Sequence, residues 1–252
     1  MRKIQQMGIE LELAAFTEHG PIVAGRFMDY TKKAPLNMHG FMFHKDASMV
    51  EIAMPPATCP RHLAELYFKG MELVERLVPD GVELKAIPCV GYDKADLDFD
   101  PYASEMGCQR SRSVHTHPPI PPAYFDNCRY GGLHLNIQVD DRVRPLDALL
   151  LDASVGLHSV VHWEQPNAGQ IRRRRRYYGR SGEHRIKNFG IEYRTLPSSA
   201  FHPIWTDVIW DLSERGLNMD AQDIQPLSED ISLAIQTCDP QLAGELMEEI
   251  KL

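Results

Sequence analysis

Four short segments of this chain alternate apolar residues with residues that can bind metal ions or charged substrates. Their polar members include Glu10, Glu12, Glu51, His134, Asn136, Glu192 and Arg194. In a β-strand successive side chains point to opposite faces, so residues two apart share a face of the sheet. We therefore predict one sheet face that holds metal ions and a charged substrate.

Two of these residues, Glu10 and Glu12, lie two positions apart, so a strand places both carboxylates on the same side. Carboxylates this close repel each other unless a cation lies between them. Mg²⁺, or Mn²⁺ in its place, prefers oxygen ligands and leaves coordination positions for phosphates. The predicted metal ligands are Glu10, Glu12, Glu51, His134 and Glu192.

An arginine-rich stretch lies between the last two polar segments. Residues 172–176 are five consecutive arginines, and Arg180 and Arg185 follow in what we predict to be a glycine-containing loop. A planar guanidinium suits carboxylate and phosphate oxygens. We expect some arginines of the 172–176 run to form a solvated basic patch. If the run is a strand, its side chains alternate between two faces, and at most part of it faces the site. Basic residues opposite a cluster of carboxylates suit an anionic substrate such as ATP, so we predict that Arg180, Arg185 and Arg194 face one. The sequence has no glycine-rich phosphate loop, so ATP would bind through metal ions and arginines on the sheet.

Composition limits the class of protein. The formal charge of −8 argues against general nucleic-acid binding. The five cysteines form no CxxC pair and are typical of reduced thiols in a cytoplasmic protein. No apolar run approaches the roughly 20 residues that a membrane helix needs, and the chain begins almost directly with a strand pattern. We therefore expect a cytoplasmic protein that binds neither membranes nor nucleic acid.

The remaining pattern mixes helices and strands without regular βαβ spacing. Apolar spacing predicts helices over residues 60–78 and 203–215, one opened by Pro145, and a terminal helix that Asp239 caps. Residues 82–86 alternate like a strand, and residues 91–127 are expected to be an irregular, functional loop. No linker or repeat is evident, so the chain is predicted to be one domain over 1–252. Its expected class is α+β, with a largely antiparallel sheet.

A rival site lies within that long segment. Cys108, His115, His117 and Cys128 are potential zinc ligands, which would fit a zinc-dependent hydrolase. Their spacing matches no established zinc motif, and no Gly-x-Ser-x-Gly motif is present. A further alternative is a non-catalytic protein that binds a nucleotide or another ligand on the same face.

The order of the polar segments resembles the carboxylate–amine ligases of the glutamine synthetase and glutamate–cysteine ligase superfamily, and in particular its small phage-type branch. The resemblance rests on the segments at residues 8–12, 50–52 and 131–134, and on Arg180, Arg185 and residues 190–194. It spans most of residues 8–200. It implies a curved antiparallel sheet with helices on its outer face and a catalytic funnel on its concave face.

The resemblance also implies a reaction. ATP phosphorylates a carboxylate, and an amine then displaces the phosphate to form an amide or peptide bond. Glu10, Glu12, Glu51, His134 and Glu192 match the family's metal ligands, and Arg180, Arg185 and Arg194 match its phosphate- and carboxylate-binding arginines. Relatives carry a second histidine where this chain has Asn136, so we expect Asn136, with Arg180 and Arg185, to contact nucleotide or substrate. The expected substrates are a small-molecule or peptide carboxylate and an amine, and a homo-oligomer is compatible with the family.

Overall fold

A computed structural model of the protein describes residues 1–104, 111–117 and 127–252. The strands are β1 (Ile4–Thr17), β2 (Gly20–Ile22), β3 (Leu36–Met38), β4 (Phe41–Asp46), β5 (Met49–Ala53), β6 (Glu83–Lys85), β7 (Val90–Gly91), β8 (Arg112–Ser113), β9 (Cys128–Arg129), β10 (Leu133–Val139), β11 (Glu183–Lys187) and β12 (Gly190–Tyr193).

Most of the helices lie in the second half of the chain. They are α1 (Pro60–Glu75), α2 (Lys94–Phe99), α3 (Pro101–Ser104), α4 (Asp147–Leu151), α5 (Leu157–His162), α6 (Ala168–Arg174), α7 (Thr206–Leu217), α8 (Ala221–Ile224), α9 (Ser228–Thr237) and α10 (Pro240–Glu249). A π-helical segment, Asp152–Gly156, joins α4 to α5 without a break.

Among the described residues the main sheet has the strand order β3-β4-β5-β1-β10-β12-β11-β8, and each of these neighbours pairs antiparallel. The 14-residue strand β1 lies in its middle and also pairs with β2 and β6. The predicted α+β class with a largely antiparallel sheet is confirmed.

One face of this sheet forms the core. Leu11, Leu133 and Ile191 from three adjacent strands are buried in the same apolar cluster as Leu63 of α1 and Ile209 of α7. Because side chains alternate along each strand, packing these residues against helices turns Glu10, Glu12, His134 and Glu192 to the other face. The helices therefore cover the face opposite to the polar residues, as predicted.

The π-helical segment carries a fully buried carboxylate, Asp152, which accepts three hydrogen bonds. The hydroxyls of Tyr193 and Thr195 donate to its Oδ1 at 2.6 and 3.1 Å, and Ser181 donates to its Oδ2 at 2.6 Å. A buried carboxylate needs such donors to offset its lost hydration. The network fixes the end of β12 and the turn before β11, from which the candidate site's arginines extend.

Three expectations from the sequence are wrong. Residues 91–127 are not uniformly irregular, since they contain α2, α3 and β8 in their described part. The helix near Pro145 begins at Asp147, because residues 144–147 form a turn in which Arg144 donates its backbone N–H to the Asp147 side chain at 2.8 Å. The arginine run does not alternate along a strand, because it forms the end of α6 and the turn that follows it.

Gly190 tests the register that holds Glu192 in place. A Cβ at this position would collide with the backbone carbonyl oxygen of Ile137 on β10, which cannot move without breaking the strand pairing. We expect Gly190→Ala to lower the free energy of unfolding by about 1–3 kcal/mol, measured by urea denaturation.

The matched control is Gly244→Ala in α10, where an added Cβ would meet nothing within 4 Å. This change should raise the free energy of unfolding by about 1 kcal/mol, because alanine loses less backbone entropy than glycine in a helix. Equal effects of the two substitutions would show that the β10–β12 register is not sterically fixed at Gly190.

Candidate active site

Strand pairing aligns the predicted ligands across the polar face of the sheet. Glu10 of β1 lies opposite His134 of β10, and Glu12 lies opposite Glu51 of β5. Glu192 of β12 lies opposite Asn136 of β10. Antiparallel register therefore converts four separate sequence segments into adjacent side chains.

The first group of ligands, which we call the histidine cluster, consists of Glu10, His134 and Glu192. Their ligand atoms lie within 4.8 Å of one another. His134 Nδ1 is 3.1 Å from Glu10 Oε2 and 3.8 Å from Glu192 Oε1. Asn136 donates to Glu10 Oε1 at 3.2 Å. Two carboxylates and an imidazole are a suitable donor set for Mn²⁺ or Mg²⁺.

Glu192 is also surrounded by three basic side chains. The guanidinium of Arg194 contacts its Oε1, and Arg185 Nη1 lies 3.3 Å from the same oxygen. Lys187 Nζ lies 2.6 Å from Oε2. Arg194 is fully buried, whereas the Arg185 and Lys187 side chains retain 23% and 35% exposure. Arg185 and Lys187 are thus accessible to an anionic ligand.

The second group, the carboxylate cluster, consists of Glu12, Asp46 and Glu51. Their oxygens also lie within 4.8 Å of one another. The nearest basic groups to Glu51 are Lys32 Nζ at 3.5 Å and His44 Nε2 at 3.3 Å. Glu12 and Glu51 are almost completely buried. Three carboxylates in such close proximity favour a bound hard cation.

Tyr178 lies between the two clusters. Its hydroxyl contacts His134 Nε2, lies 3.0 Å from Glu12 Oε1 and accepts from Arg194 Nη2 at 3.2 Å. Gly132 makes room for it, because a Cβ on that residue would be 2.8 Å from the hydroxyl. The Gly132 backbone N–H donates to the other Glu12 oxygen at 2.6 Å.

Burial and charge shift the pKa values of the ligands in different directions. Burial, together with the charges of Asp46 and Glu51, raises the pKa of Glu12 to about 8. Burial and the Arg194 charge lower the pKa of His134 to about 4, so its imidazole is neutral at pH 7. Burial opposes ionisation of Glu10, but its hydrogen bond with His134 and the charges of Lys32 and Arg194 lower its pKa.

The other predicted arginines have different positions. Arg185 lies on β11 rather than in a loop, and pairs across to Glu192 on β12. Arg180 follows Gly179, which has φ of +64°, and its Nε is 3.6 Å from Glu183 Oε1. The role of Arg180 with ATP stays a prediction.

The arginine run divides between surface and interior. Arg172, Arg173 and Arg176 are exposed, as expected of a basic patch. Arg174 is fully buried and donates to the carbonyl oxygens of Thr195 and Leu196, each at 2.9 Å. Arg175 is also buried, and pairs with Glu164 at 2.7 Å. These two arginines hold backbone and helices together behind the site.

The rival zinc ligands have other contacts where the structure describes them. His117 Nε2 lies 2.8 Å from the Ser181 carbonyl oxygen, and His115 Nε2 lies 3.7 Å from Asp152 Oδ2. Cys128 belongs to β9, and Cys108 lies outside the described residues. Within the described part of the chain, the groups of three or more close metal-binding side chains are the histidine and carboxylate clusters. No helix in that part is long and apolar enough to cross a membrane.

Residues 124–220 match the family described as "Phage phiEco32-like COOH.NH2 ligase-type 2". This match covers less than half of the chain and agrees with the phage-type family that the motifs resemble. The matched segment contains His134, Arg185 and Glu192, whereas Glu10, Glu12 and Glu51 lie before it. No curated protein sequence matches the chain.

Two solved structures are similar to this one at low identity. The crystal structure of a novel glutamine synthase homolog is 12% identical with a TM-score of 0.43, and the alignment covers 99% of this chain and 64% of that one. A bifunctional glutathione synthetase from Pasteurella multocida is 11% identical with a TM-score of 0.38, covering 98% of this chain and 49% of that one. The chain therefore spans less than two thirds of either structure.

Glu12 should make the stability of the cation-free protein depend on pH. Its pKa is raised in the folded state, so between about pH 4.5 and 8 the folded carboxyl keeps a proton that the unfolded one loses. Stability from this group is present below about pH 4.5 and is lost as the pH rises towards 8. Glutamine at position 12 cannot titrate.

We therefore expect the thermal stability of the wild type, relative to Glu12→Gln, to fall as the pH rises from 5 to 8 in EDTA. Parallel pH profiles of the two proteins would show that Glu12 ionises normally. Glu18→Gln, which removes an exposed carboxylate near the end of β1, is the control and should leave the profile unchanged.

Proposed function

We propose that this protein is an ATP-dependent carboxylate–amine ligase that activates a carboxylate as an acyl phosphate and joins it to an amine. The observation that carries the proposal is the pair of adjacent clusters, one of which is flanked by Arg185, Arg194 and Lys187. This combination of carboxylates and accessible basic groups suits a polyphosphate with divalent cations. The family match over residues 124–220 supports the same class of reaction.

Mg²⁺ or Mn²⁺ fits both donor sets. Glu12, Asp46 and Glu51 would hold one cation, and Glu10, His134 and Glu192 would hold another. The raised pKa of Glu12 supports the first assignment, because a carboxyl that is costly to ionise alone is stabilised in its ionised form by a cation. When bound, such cations neutralise phosphate charge during phosphoryl transfer.

The proposed reaction has two steps. An oxygen of the substrate carboxylate attacks the γ-phosphorus of ATP, the bond to the β-phosphate oxygen breaks, and ADP leaves. The amine nitrogen then attacks the acyl carbon, the C–O bond to phosphate breaks, and the amine loses a proton. Negative charge accumulates on the transferred phosphoryl oxygens, and this is the charge that nearby guanidinium groups stabilise.

The basic residues of the site have different roles in the proposed reaction. Arg185 and Lys187 are partly exposed and within reach of Glu192, so a phosphate arriving there can exchange places with that carboxylate. Buried Arg194 keeps Glu192 and Tyr178 in position from behind. Asn136 donates to Glu10 and thereby orients this metal-binding carboxylate, and its own amide lies on the same face of the sheet.

The test uses hydroxylamine as the amine, because it converts an acyl phosphate to a stable hydroxamate. The protein is incubated with ATP, Mg²⁺, hydroxylamine and pools of amino acids, dicarboxylates and short peptides, and hydroxamate and ADP are measured together. Equal amounts of hydroxamate and ADP are expected with at least one pool. Product formed without ADP release, or activity that is lost in EDTA and restored only by zinc, would contradict the proposal.

Glu12→Gln should abolish Mg²⁺-dependent ADP release without loss of folding, because it keeps the side chain's size and removes its charge. Glu18→Gln is the matched control, since Glu18 is exposed beyond the end of the same strand. Unchanged turnover in Glu12→Gln would remove Glu12 from the mechanism.

The arginines should differ in their effects on turnover. Arg185→Lys and Arg194→Lys each keep a charge but lose the bidentate fork. We expect Arg185→Lys to lower steady-state ADP release about 100- to 1,000-fold, the usual loss for one transition-state donor. Arg194→Lys should also lower it strongly, because Glu192 and Tyr178 lose the group that positions them. Arg173→Lys, at an exposed position of α6, is the control and should have little effect.

Thermal melts of all three variants separate loss of catalysis from loss of folding, which matters most for buried Arg194. If Arg173→Lys proved as damaging as Arg194→Lys, the basic run would have to enter the site, and the assignment of Arg185 and Arg194 would be wrong.

A further inference from the structure

Tyr178 is the side chain that joins the two clusters, and neither the motifs nor the proposed reaction assigns it a task. Its hydroxyl lies 3.0 Å from Glu12 Oε1 of the carboxylate cluster and contacts His134 Nε2 of the histidine cluster. A third neighbour, Arg194 Nη2, donates to it from 3.2 Å. A hydroxyl has one hydrogen, so it can donate to Glu12 or to His134 but not to both.

From this geometry we infer that Tyr178 is a positioning residue that couples cation binding at the two clusters. The inference rests on the proposed function, since it assumes that both clusters bind divalent cations. It adds that a cation in the histidine cluster prepares the carboxylate cluster for a second one.

The hydrogen-bond chain explains the direction of this coupling. In the cation-free protein, His134 Nδ1 lies 3.1 Å from Glu10 Oε2 and 3.5 Å from Arg194 Nη1. We assign the imidazole hydrogen to Nδ1, because the nearer Glu10 carboxylate can only accept one. Nε2 then lacks a hydrogen and accepts the one from Tyr178. In this arrangement Tyr178 donates nothing to Glu12.

A cation held by Nδ1 reverses this chain. The imidazole hydrogen must then be on Nε2, where it donates to the Tyr178 oxygen. That oxygen also accepts from Arg194, so the single hydroxyl hydrogen turns to Glu12 Oε1. The other Glu12 oxygen already accepts from the Gly132 backbone at 2.6 Å. Both oxygens of Glu12 are then held in place beside Asp46 and Glu51.

The packing around Tyr178 supports a fixed position for its hydroxyl. The Arg174 and Arg194 guanidinium groups lie 4.7 and 5.4 Å from its ring centroid. Gly132 leaves no room for a side chain between the hydroxyl and β10. Because the hydroxyl is held in place, a change at one of its hydrogen bonds turns its hydrogen to another partner and does not displace the side chain.

The test measures Mn²⁺ binding, without turnover, by calorimetry and electron paramagnetic resonance. Wild type, Tyr178→Phe and Tyr177→Phe are compared. The control residue Tyr177 is adjacent in sequence, but its ring stacks on Tyr130 at 5.0 Å. We expect two Mn²⁺ per chain in each protein. Tyr178→Phe should weaken the second stepwise association constant relative to the first about tenfold, the effect of one lost hydrogen bond to a charged group. Tyr177→Phe should leave this ratio unchanged.

The outcomes separate this inference from the proposed function. Two bound Mn²⁺ with the same ratio in Tyr178→Phe and wild type would overturn the coupling and leave the proposed function intact. Absence of bound Mn²⁺ in the wild type would overturn both.

A second measurement uses only the wild type, so it does not depend on whether Tyr178→Phe folds. Nitrogen-15 spectra of the wild-type histidines are recorded with and without Mg²⁺. The inference predicts that the His134 hydrogen moves from Nδ1 to Nε2 when Mg²⁺ is added. A hydrogen that stays on Nδ1 with Mg²⁺ bound would contradict it.

Discussion

Repulsion between buried carboxylates is the constraint on which the rest of this structure depends. Glu10, Glu12, Asp46, Glu51 and Glu192 share one face of adjacent strands, where low dielectric strengthens every charge interaction. At Glu192, three basic side chains offset the repulsion. In the carboxylate cluster, burial and the charges of Asp46 and Glu51 raise the pKa of Glu12 to about 8. We propose that a divalent cation completes this arrangement.

The fold holds these charges together by packing their backbone from the other side. The apolar faces of β1, β10 and β12 are buried against helices, so none of these strands can slip by one residue without exposing its core side chains. The buried Asp152 network fixes the ends of β11 and β12, and Arg174 ties the same region to α6. Two residues of the arginine run, Arg174 and Arg175, therefore support the site from the interior, and the other three lie at the surface.

Strand periodicity was enough to predict which residues share the polar face, because alternation is a local property of the chain. It could not predict two separate clusters, since that division depends on register between strands. Asp46 shares a face with His44 on β4, but its proximity to Glu12 and Glu51 follows only from the pairing of β4 with β5. No sequence motif indicated Tyr178, because its position depends on a turn that buried Arg174 and nearby glycines hold in place. Five consecutive arginines gave no local signal of which would be buried.

The most direct test of the account is a crystal structure with Mn²⁺ and a non-hydrolysable ATP analogue, using anomalous scattering to locate the metal. The account predicts one Mn²⁺ among Glu10, His134 and Glu192 and another among Glu12, Asp46 and Glu51, with ligand distances of about 2 Å and the γ-phosphate beside Arg185. Mn²⁺ bound only elsewhere, or triphosphate bound away from this face, would contradict it.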